Sequence, residues 1–396
     1  MTARGASALL FGVVVAGAIG PLCAQGRVIS AEGAPAWGAK VRLVPALTIG
    51  TLDGPAEYAF GSVSAVVGFA DGSFVVHDSR QRQVRRYDAA GRFAANIGRT
   101  GEGPGEYKDV LGLESLGDTT IVLWDATLRR VTEFALDGSV RASTTLRIGS
   151  SAYGADVFGI DRAGIVSVNA SFEPIRRYAR YRLDGTLVDT VGAPVGSGGG
   201  FVMFTNDGAR GPFPSEPMAV PYADGGLLTA HADTLGFRVI GNRVPRVVRR
   251  RHVPVRLSRD ERREWEAVAS HTFEAAKRWK VPPGVKRPEP KLATIPTVKP
   301  ALRGIRSDRD GRVWLELYVA AEKRNVPPRP KGDTRPQLTW WERNAFDVFT
   351  GAGQYLGRVT LPAQHRLVDS RGDRIWAVSE GPDGEERIVV FRIVRG

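Results

Sequence analysis

The feature that most constrains the fold is a motif that occurs twice, about one repeat length apart. Residues 49–58 read IGTLDGPAEY and residues 97–107 read IGRTGEGPGEY. The offset is 48 residues at the first glycine and 49 at the proline, because one residue is inserted between them. Self-similarity at a period of this size is typical of repeat architectures. The chain is therefore predicted to be an array of similar units.

The glycine-rich stretch 98–107 does not fit a phosphate-binding loop. A P-loop needs a Lys and a hydroxyl residue directly after its last glycine, whereas Gly105 is followed by Glu106 and Tyr107. The glycine spacing also differs from that of a dinucleotide-binding turn, and two carboxylates would repel a pyrophosphate. We interpret the stretch as a crossover between two units. Its glycines permit positive φ, Pro104 stiffens the turn, and Tyr107 packs between the units.

The two copies of the motif also allow a binding role. In this alternative the carboxylates and rings of the paired motifs face a ligand at the mouth of a central channel. The candidate ligand-binding residues are Glu57, Tyr58, Glu106 and Tyr107.

Tight Gly/Asp turns divide the chain into short runs rich in Val and aromatic residues. Four such runs between residues 62 and 98 describe an antiparallel meander. The first hairpin turn of this unit and its counterparts occur six times, at 71–72, 117–118, 161–164, 224–225, 310–311 and 372–373. The turn between its third and fourth runs occurs five times, at 91, 137–138, 184–185, 241–242 and 351–353.

The sixth unit lacks a fourth strand, because the chain ends after the strand at 386–394. The segment 40–49 precedes the first unit and belongs to none, so we expect it to complete the last unit and close a ring without open edges. The predicted fold is an all-β, six-bladed β-propeller of four-stranded antiparallel blades, with one helical insertion.

The pattern in the first two units resembles a known repeat. It consists of Asp78, Gln81, Gln83 and Val84, then a Tyr-Asp turn, Ile97-Gly98 and the GPGEY sequence at 103–107. This resembles the NHL-type repeat and, more narrowly, secreted bacterial six-bladed propellers with a GxGPGE-aromatic loop. The resemblance is carried by residues 60–145. It implies the propeller fold, and relatives that bind proteins, sugars or RNA, with a minority of metal-dependent lactonases or lyases.

The N-terminal residues predict export. Residues 1–24 contain Arg4, an apolar run and Ala24 before Gln25, which is the pattern of a cleaved secretory signal peptide. Lipid anchoring through Cys23 is the alternative, although Leu22 is larger than the residue that usually precedes a lipidated cysteine. An extracytoplasmic, periplasmic or secreted protein is expected. A linker over 25–39 and the propeller over 40–396 would follow.

Two insertions interrupt the repeat. Ser258 and Glu261 form a capping box, and apolar residues follow at three- and four-residue spacing, which predicts an amphipathic helix over 258–281. A proline-rich linker continues to about residue 298. We expect the helix to pack on the propeller itself; a lid or a partner-docking element is the alternative. The second insertion, 321–338, is predicted to be an exposed loop.

The positive charge is concentrated in one segment. The net charge is +13, and residues 238–299 contain 17 Lys/Arg against 6 Asp/Glu. This indicates a surface that binds an anionic partner, namely an acidic polysaccharide, lipid headgroups or an acidic protein, with Arg249, Arg250, Arg251 and Lys286 as its candidate residues. The alternative is that the three arginines only protect an outer strand against edge pairing. Nucleic acid is not expected as a partner, because the chain is predicted to be exported and contains no nucleic-acid-binding motif. A monomer without a transmembrane segment is expected.

Four side chains at the starts of inner strands could converge on the channel. They are Asp109, Asp156, Glu216 and His365, and together they could hold Ca²⁺ or Zn²⁺ and activate a water molecule. In the competing interpretation each of them only caps a loop. The sequence contains no recognisable nucleophile motif. It therefore favours an exported protein- or carbohydrate-binding propeller without catalysis or cofactor. The alternative is a metal-dependent lactonase, hydrolase or lyase.

Overall fold

The structure, a computed structural model, describes residues 27–147, 157–169, 175–194, 203–205, 208–241, 245–278, 289, 291–381 and 383–396. The predicted signal peptide and the candidate residues Asp156 and Lys286 lie outside these ranges. No helix in the described ranges is long and apolar enough to cross a membrane.

The described strands form six four-stranded antiparallel blades, three short two-stranded pairs and one additional edge strand. Two strands precede the first blade, and three blades with two short pairs follow: β1 (Arg27–Ser30), β2 (Val41–Ile49), β3 (Val63–Gly68), β4 (Phe74–Asp78), β5 (Gln83–Tyr87), β6 (Phe93–Asn96), β7 (Arg99–Thr100), β8 (Glu106–Tyr107), β9 (Val110–Leu116), β10 (Thr120–Asp125), β11 (Arg130–Ala135), β12 (Val140–Thr145), β13 (Val157–Ile160), β14 (Val166–Asn169), β15 (Ile175–Tyr181), β16 (Leu187–Pro194), β17 (Met203–Thr205) and β18 (Gly208–Arg210).

The second half contains the other three blades, one helix and one short pair. Its elements are β19 (Pro217–Pro221), β20 (Leu227–His231), β21 (Gly236–Ile240), β22 (Arg246–Arg249), α1 (Arg259–Arg278), β23 (Leu302–Ser307), β24 (Val313–Leu317), β25 (Glu322–Lys323), β26 (Trp340–Trp341), β27 (Ala345–Phe349), β28 (Tyr355–Thr360), β29 (His365–Arg371), β30 (Arg374–Glu380) and β31 (Glu386–Arg395). The innermost strands of blades 1 to 6 are β3, β9, β13, β19, β23 and β29.

The ring closes as the repeat count predicts. Strand β2 is antiparallel to β31, with Val41 opposite Arg395 and Ile49 opposite Ile388. The last blade therefore takes its outer strand from the N-terminal part of the chain, so that strand β2 and the last strand, β31, are held in one sheet. The prediction of a six-bladed β-propeller is confirmed.

The segment predicted as a linker over 25–39 contains a strand. Strand β1 is parallel to β22 and adds a fifth strand to blade 4. The backbone N–H groups of Ala36 and Trp37 then donate to the carbonyls of Tyr355 and Leu356, in the outer strand of blade 5, at 3.1 and 2.8 Å. Residues 27–49 thus run along the outer edges of blades 4, 5 and 6. These backbone groups satisfy exposed sheet edges, so part of the predicted linker is itself paired with the blades.

The hydrophobic core is divided among the six junctions between blades. One cluster lies at each junction, for example Trp124 with Ile160 between blades 2 and 3, and Phe74 with Trp376 between blades 6 and 1. The other junctions have clusters of the same kind. Because each blade buries both faces against its neighbours, the strands are rich in apolar residues on both faces.

The GPGEY loop is a crossover between blades 1 and 2, as predicted. Strands β7 and β8 pair in parallel, and Gly98 and Gly105 both have positive φ. A Cβ on Gly98 would lie 2.6 Å from the carbonyl oxygen of Gly105, so the two backbones meet where a side chain does not fit. Tyr107 is buried between the blades, and its hydroxyl accepts the N–H of Val84 at 3.0 Å.

Helix α1 is capped by Ser258, whose hydroxyl accepts the N–H of Glu261 at 3.1 Å. It packs on the propeller: the Trp265 and Phe213 rings are 5.6 Å apart, centroid to centroid. The buried ammonium of Lys299 pairs with Glu261 at 2.7 Å and with Glu342 at 2.9 Å. These contacts attach the helix to blade 5 and give it a structural role, in agreement with the expected packing.

Candidate functional site

The six inner strands surround a central cavity of about 350 Å³. Its wall is formed by the strand segments that approach the first hairpin turns. Most of these segments are apolar, but six charged residues also line the cavity, namely Glu114, Arg306, Asp308, Arg309, Arg366 and Asp369. They come from only three blades, the second, fifth and sixth. The cavity is therefore polar on part of its circumference.

One arginine crosses the cavity at the level of the hairpin turns. Arg309, in the β23–β24 turn of blade 5, forms an ion pair with Glu114 of blade 2. It also donates to the carbonyl of Ile160 in blade 3 at 2.8 Å. Its side chain spans from one side of the ring to the other and forms a floor. The charge of Asp308 is also neutralised within the protein, because its carboxylate accepts a hydrogen bond from the Arg312 guanidinium at 2.6 Å.

Two further arginines face the cavity without a carboxylate partner. Arg306 donates to the carbonyl of Leu367 at 3.0 Å, and Arg366 donates to the carbonyl of Val63 at 2.8 Å. Within the described ranges neither guanidinium lies within ion-pairing distance of a carboxylate. Each arginine has five N–H donors, so these contacts leave donors that can bind a ligand.

The electrostatic environment of Arg306 is unfavourable for its charge. Burial is the main cause that lowers the pKa of Arg306, and the positive charge of Arg366 acts in the same direction. The carboxylates of Glu316 and Asp369 oppose this effect. An anion bound beside Arg306 and Arg366 would therefore offset the cost of burying the Arg306 charge and the repulsion between the two guanidiniums.

Asp369 is the titratable carboxyl in this wall. Burial raises its pKa to about 7, and the negative charge of Glu114 adds to that shift. Hydrogen bonds from the N–H groups of Gly68, at 2.7 Å, and Ser370, at 2.8 Å, oppose it, as does the charge of Arg309. Near neutral pH the cavity thus carries two unpaired arginines and a carboxyl that is partly protonated. Its net charge is positive.

A wider cavity of about 810 Å³ lies over blades 1 and 2. It shares Ser64, Ala65 and Leu113 with the central cavity, so the two spaces meet along strands β3 and β9. The hydroxyl of Ser64 lies 2.7 Å from Nδ1 of His77 on the adjacent strand. Lys108 and Asp109 also line this cavity.

His77 is buried, although its cavity is open. Burial is the main cause that lowers its pKa, while the charges of Asp78 and Asp109 raise it. The imidazole is therefore neutral at neutral pH, and the two carboxylates favour the cation that forms when it takes up a proton.

The candidate residues of the crossover motifs are engaged in internal contacts. Glu106 accepts the Arg99 guanidinium at 2.7 Å and the N–H of Gly103 at 2.8 Å. The carbonyl of Glu57 accepts the Tyr87 hydroxyl, and the Tyr58 hydroxyl accepts the N–H of Phe93 at 2.9 Å. Tyr107, described above, is buried. These contacts give Tyr58, Glu106 and Tyr107 structural roles, whereas for Glu57 they involve only the backbone carbonyl.

The structure does not bring the candidate metal ligands together. Among the described residues, no three His, Cys, Asp or Glu side chains form a group that could hold a metal ion. Asp109 lines the wide cavity, whereas Glu216 and His365 line neither cavity. The His365 ring lies 5.4 Å from that of Phe391, and its Nδ1 is 2.8 Å from the carbonyl of Ala363. The fourth candidate, Asp156, is outside the described ranges.

The three described basic candidates differ in environment. Arg249 and Arg251 are exposed. Arg250 is half-buried, with its guanidinium 3.7 Å from the centre of the Tyr355 ring, and it donates to the carbonyl of Ala31. Arg250 thus holds the N-terminal segment against blades 4 and 5, and only Arg249 and Arg251 present their charge freely to solvent.

Sequence reasoning missed most of the residues that line the cavities; the exceptions are Tyr107 and Asp109, which line the wide cavity. The signal for Arg306, Arg366 and Asp369 was present, since charged residues interrupt the inner strands 302–307 and 365–371, whose side chains can face only the channel or a neighbouring blade. The Ser64–His77 contact carries no comparable signal, because the two residues are 13 positions apart and belong to no motif.

A ring of six four-stranded blades around a charged central cavity defines the protein as a six-bladed β-propeller. Residues 51–153 match the family model DUF5128, which is described as a 6-bladed beta-propeller. This family is not described as an NHL-repeat family, so the resemblance to that repeat type stays a prediction. No curated protein matches the sequence.

Several solved structures are similar to the chain. One is a presumed exported protein from Bacteroides fragilis, at 10% identity and a TM-score of 0.48, covering 93% of this chain and 99% of that chain. Another is a member of the duf4221 family from Bacteroides vulgatus, at 10% identity and a TM-score of 0.49, covering 90% and 99%. A streptogramin B lyase has 12% identity and a TM-score of 0.40, covering 91% and 100%. Identities of this size carry no information on activity.

Proposed function

We propose that the protein is an extracytoplasmic binding protein whose central cavity takes a small ligand with a carboxylate group, such as an acidic sugar. The observation that carries the proposal is the pair Arg306 and Arg366. Both guanidiniums face the cavity, and their described hydrogen bonds go only to backbone carbonyls. Guanidinium groups bind carboxylates in a bidentate, planar geometry, which makes this pair suited to such a ligand.

The size and shape of the cavity agree with this ligand class. A volume of about 350 Å³ is at the lower end of small-molecule sites and is sufficient for a monosaccharide. The floor formed by Arg309 and Glu114 closes the hairpin end, and the wide cavity over blades 1 and 2 provides the approach. The basic segment 238–299 would attract anionic ligands from a distance.

The test is isothermal titration of the purified protein with D-glucuronate, with D-glucose as a neutral control of the same ring size. We expect binding of glucuronate and not of glucose. Arg306→Gln and Arg366→Gln should each weaken glucuronate binding at least tenfold. Arg92→Gln is the matched control, since Arg92 is 80% exposed in the turn just before the outer strand of blade 1 and pairs with Asp88.

Either of two results would refute the proposed binding role. Equal affinity for the acid and the neutral sugar, or glucuronate binding that survives both cavity substitutions in folded protein, would show that the arginine pair does not bind the ligand. Thermal melting of each variant establishes that it is folded, because both arginines also bridge neighbouring blades.

A further inference from the structure

The wall between the two cavities carries a serine–histidine pair that anion binding does not use. Strand β3 has a bulge at this point: Val63 pairs with Asp78 and Ala65 pairs with His77, which leaves Ser64 as the extra residue. A bulge redirects a side chain relative to its strand, and bulges are frequent near active sites. Ser64 is exposed at the line where the cavities meet, and its hydroxyl lies 2.7 Å from the His77 imidazole.

The same bulge position in the neighbouring blade has different chemistry. In blade 2, Gly112 pairs with Trp124 and Val110 with Asp125, so the extra residue is Leu111. In blade 5 the extra residue is Arg303, opposite a strand that carries Glu316. The backbone irregularity therefore recurs in other blades, although not in blade 4, whereas the serine and the histidine that contacts it belong to blade 1.

A carboxylate-binding group lies directly beside the serine. Arg366 donates to the carbonyl of Val63, the residue before Ser64, at 2.8 Å. A ligand whose carboxylate is bound by Arg366 therefore has its remaining atoms within reach of the Ser64 hydroxyl. The buried His77 imidazole accepts a proton from that hydroxyl when the ring hydrogen is on Nε2. Asp109, on the same cavity, favours the resulting cation.

We propose that Ser64 and His77 form a nucleophile and general-base pair that hydrolyses esters whose acyl part carries a carboxylate. The proposal rests on the anion-binding function above, because Arg366 supplies the specificity for the carboxylate. A nucleophile within hydrogen-bonding distance of its base, next to a group that orients the substrate, is the arrangement that covalent catalysis requires.

The reaction is a two-step acyl transfer to water. In the first step the Ser64 Oγ–H proton moves to His77 Nδ1 and Oγ attacks the ester carbonyl carbon. The carbon–oxygen bond to the alcohol breaks, and the departing alkoxide takes the proton from His77. In the second step water gives a proton to His77, and its oxygen attacks the acyl carbon. The bond to Ser64 Oγ then breaks, and the proton returns to Oγ.

The first measurement is labelling by a fluorophosphonate probe, whose phosphorus reacts with activated serines with loss of fluoride. Peptide mass spectrometry should place the label on Ser64. Labelling should disappear in Ser64→Ala and fall at least tenfold in His77→Gln. Ser79→Ala is the matched control, because Ser79 lines the same cavity but its hydroxyl bonds only to the carbonyl of Ser62, at 3.2 Å. This variant should label as the native protein does.

The second measurement is hydrolysis of mono-p-nitrophenyl succinate, compared with the neutral p-nitrophenyl pentanoate. We expect at least a tenfold preference for the anionic ester in kcat/KM, lost in Arg366→Gln and absent in Ser64→Ala. Label on other serines only, or hydrolysis unchanged in folded Ser64→Ala, would overturn the proposal. Glucuronate titration of Ser64→Ala separates the two hypotheses: if it binds glucuronate but the native protein neither labels nor hydrolyses, the catalytic inference fails and the binding function stands.

Discussion

The carboxylate of Asp369 accepts the backbone N–H of Gly68 at 2.7 Å and so joins the last blade to the first beside the central cavity. The ring of Trp376 packs on the same glycine, so closely that a Cβ on Gly68 would lie 2.3 Å from it. Asp369 is thus both a structural bond at the ring junction and the titratable group of the candidate site. Its protonation should affect stability and ligand binding together.

Stability should depend on the pH through Asp369. Its folded-state pKa of about 7 is above its ordinary value of 3.8. Between about pH 4 and 7 the folded protein therefore keeps a proton that the unfolded chain has released, and the contribution of Asp369 to the free energy of unfolding falls as the pH rises. Asp369→Asn should be more stable than the native protein above pH 7, by about 1–3 kcal/mol. Urea unfolding at several pH values checks this.

The free energy of unfolding is compared between the native protein and Asp369→Asn at each pH, because other groups titrate in both proteins and cancel in the difference. Asp53→Asn, at an exposed residue outside the cavity, should leave the profile unchanged. A constant difference between native protein and Asp369→Asn from pH 4 to pH 8 would contradict the assigned protonation.

Anion binding should weaken as the same group ionises. Above about pH 7 the Asp369 carboxylate adds a negative charge near Arg306, which opposes a carboxylate ligand. The dissociation constant for glucuronate is expected to rise several-fold from pH 6 to pH 8 in the native protein. It should stay nearly constant in Asp369→Asn. Titration calorimetry at both pH values gives the comparison, and an equal pH dependence in both proteins would remove Asp369 from the site.

The N-terminal segment should contribute substantially to stability. Trp37 is 6% exposed and packs between the outer parts of blades 5 and 6, with Phe346 and Ile393 in its cluster. Replacing a buried tryptophan by alanine removes its transfer free energy and leaves a cavity, so Trp37→Ala should cost about 3–4 kcal/mol. Val28→Ala, at a residue that is 65% exposed, is the control and should cost less than about 0.5 kcal/mol. Chemical denaturation measures both.

Strand β2 allows a stronger form of this experiment. A chain without residues 25–50 lacks the fourth strand of blade 6 and should lose cooperative unfolding, since the ring would then have an open junction. A cooperative transition at the native midpoint would show that closure by β2 does not hold the ring together.

The basic segment should bind anionic matrices through its exposed arginines. Arg249→Glu combined with Arg251→Glu should lower the salt concentration at which the protein elutes from heparin, with the melting temperature unchanged. Adding Lys286→Glu should lower it further. Arg250→Glu should instead destabilise the protein by about 1–2 kcal/mol, because it removes the contact with the Tyr355 ring and with Ala31. Retention that survives the charge reversals would place the anionic surface elsewhere.

Much of the fold followed from short segments of sequence. Each blade could be counted from its first hairpin turn because Asp and Gly there meet a local requirement. In the turn at 71–73, for example, the Asp71 carboxylate accepts the N–H of Ser73 at 2.8 Å, and Gly72 has positive φ. The helix start at Ser258 was predictable for the same reason. A missing fourth strand at one end and an unassigned strand at the other then implied closure.

The candidate site could not be derived in this way. Arg306, Arg366 and Asp369 come from two blades, and their common cavity exists only because six twisted sheets close into a ring. The Ser64–His77 contact depends on a one-residue bulge, which changes which side chains face each other across two strands. The parallel pairing of β1 with β22 brings together residues more than 200 positions apart. Turn residues and strand periodicity act over a few neighbouring residues, so they can be predicted from the sequence. Which side chains of different blades meet in one cavity depends on how whole sheets are rotated relative to one another. Only the tertiary structure determines that rotation.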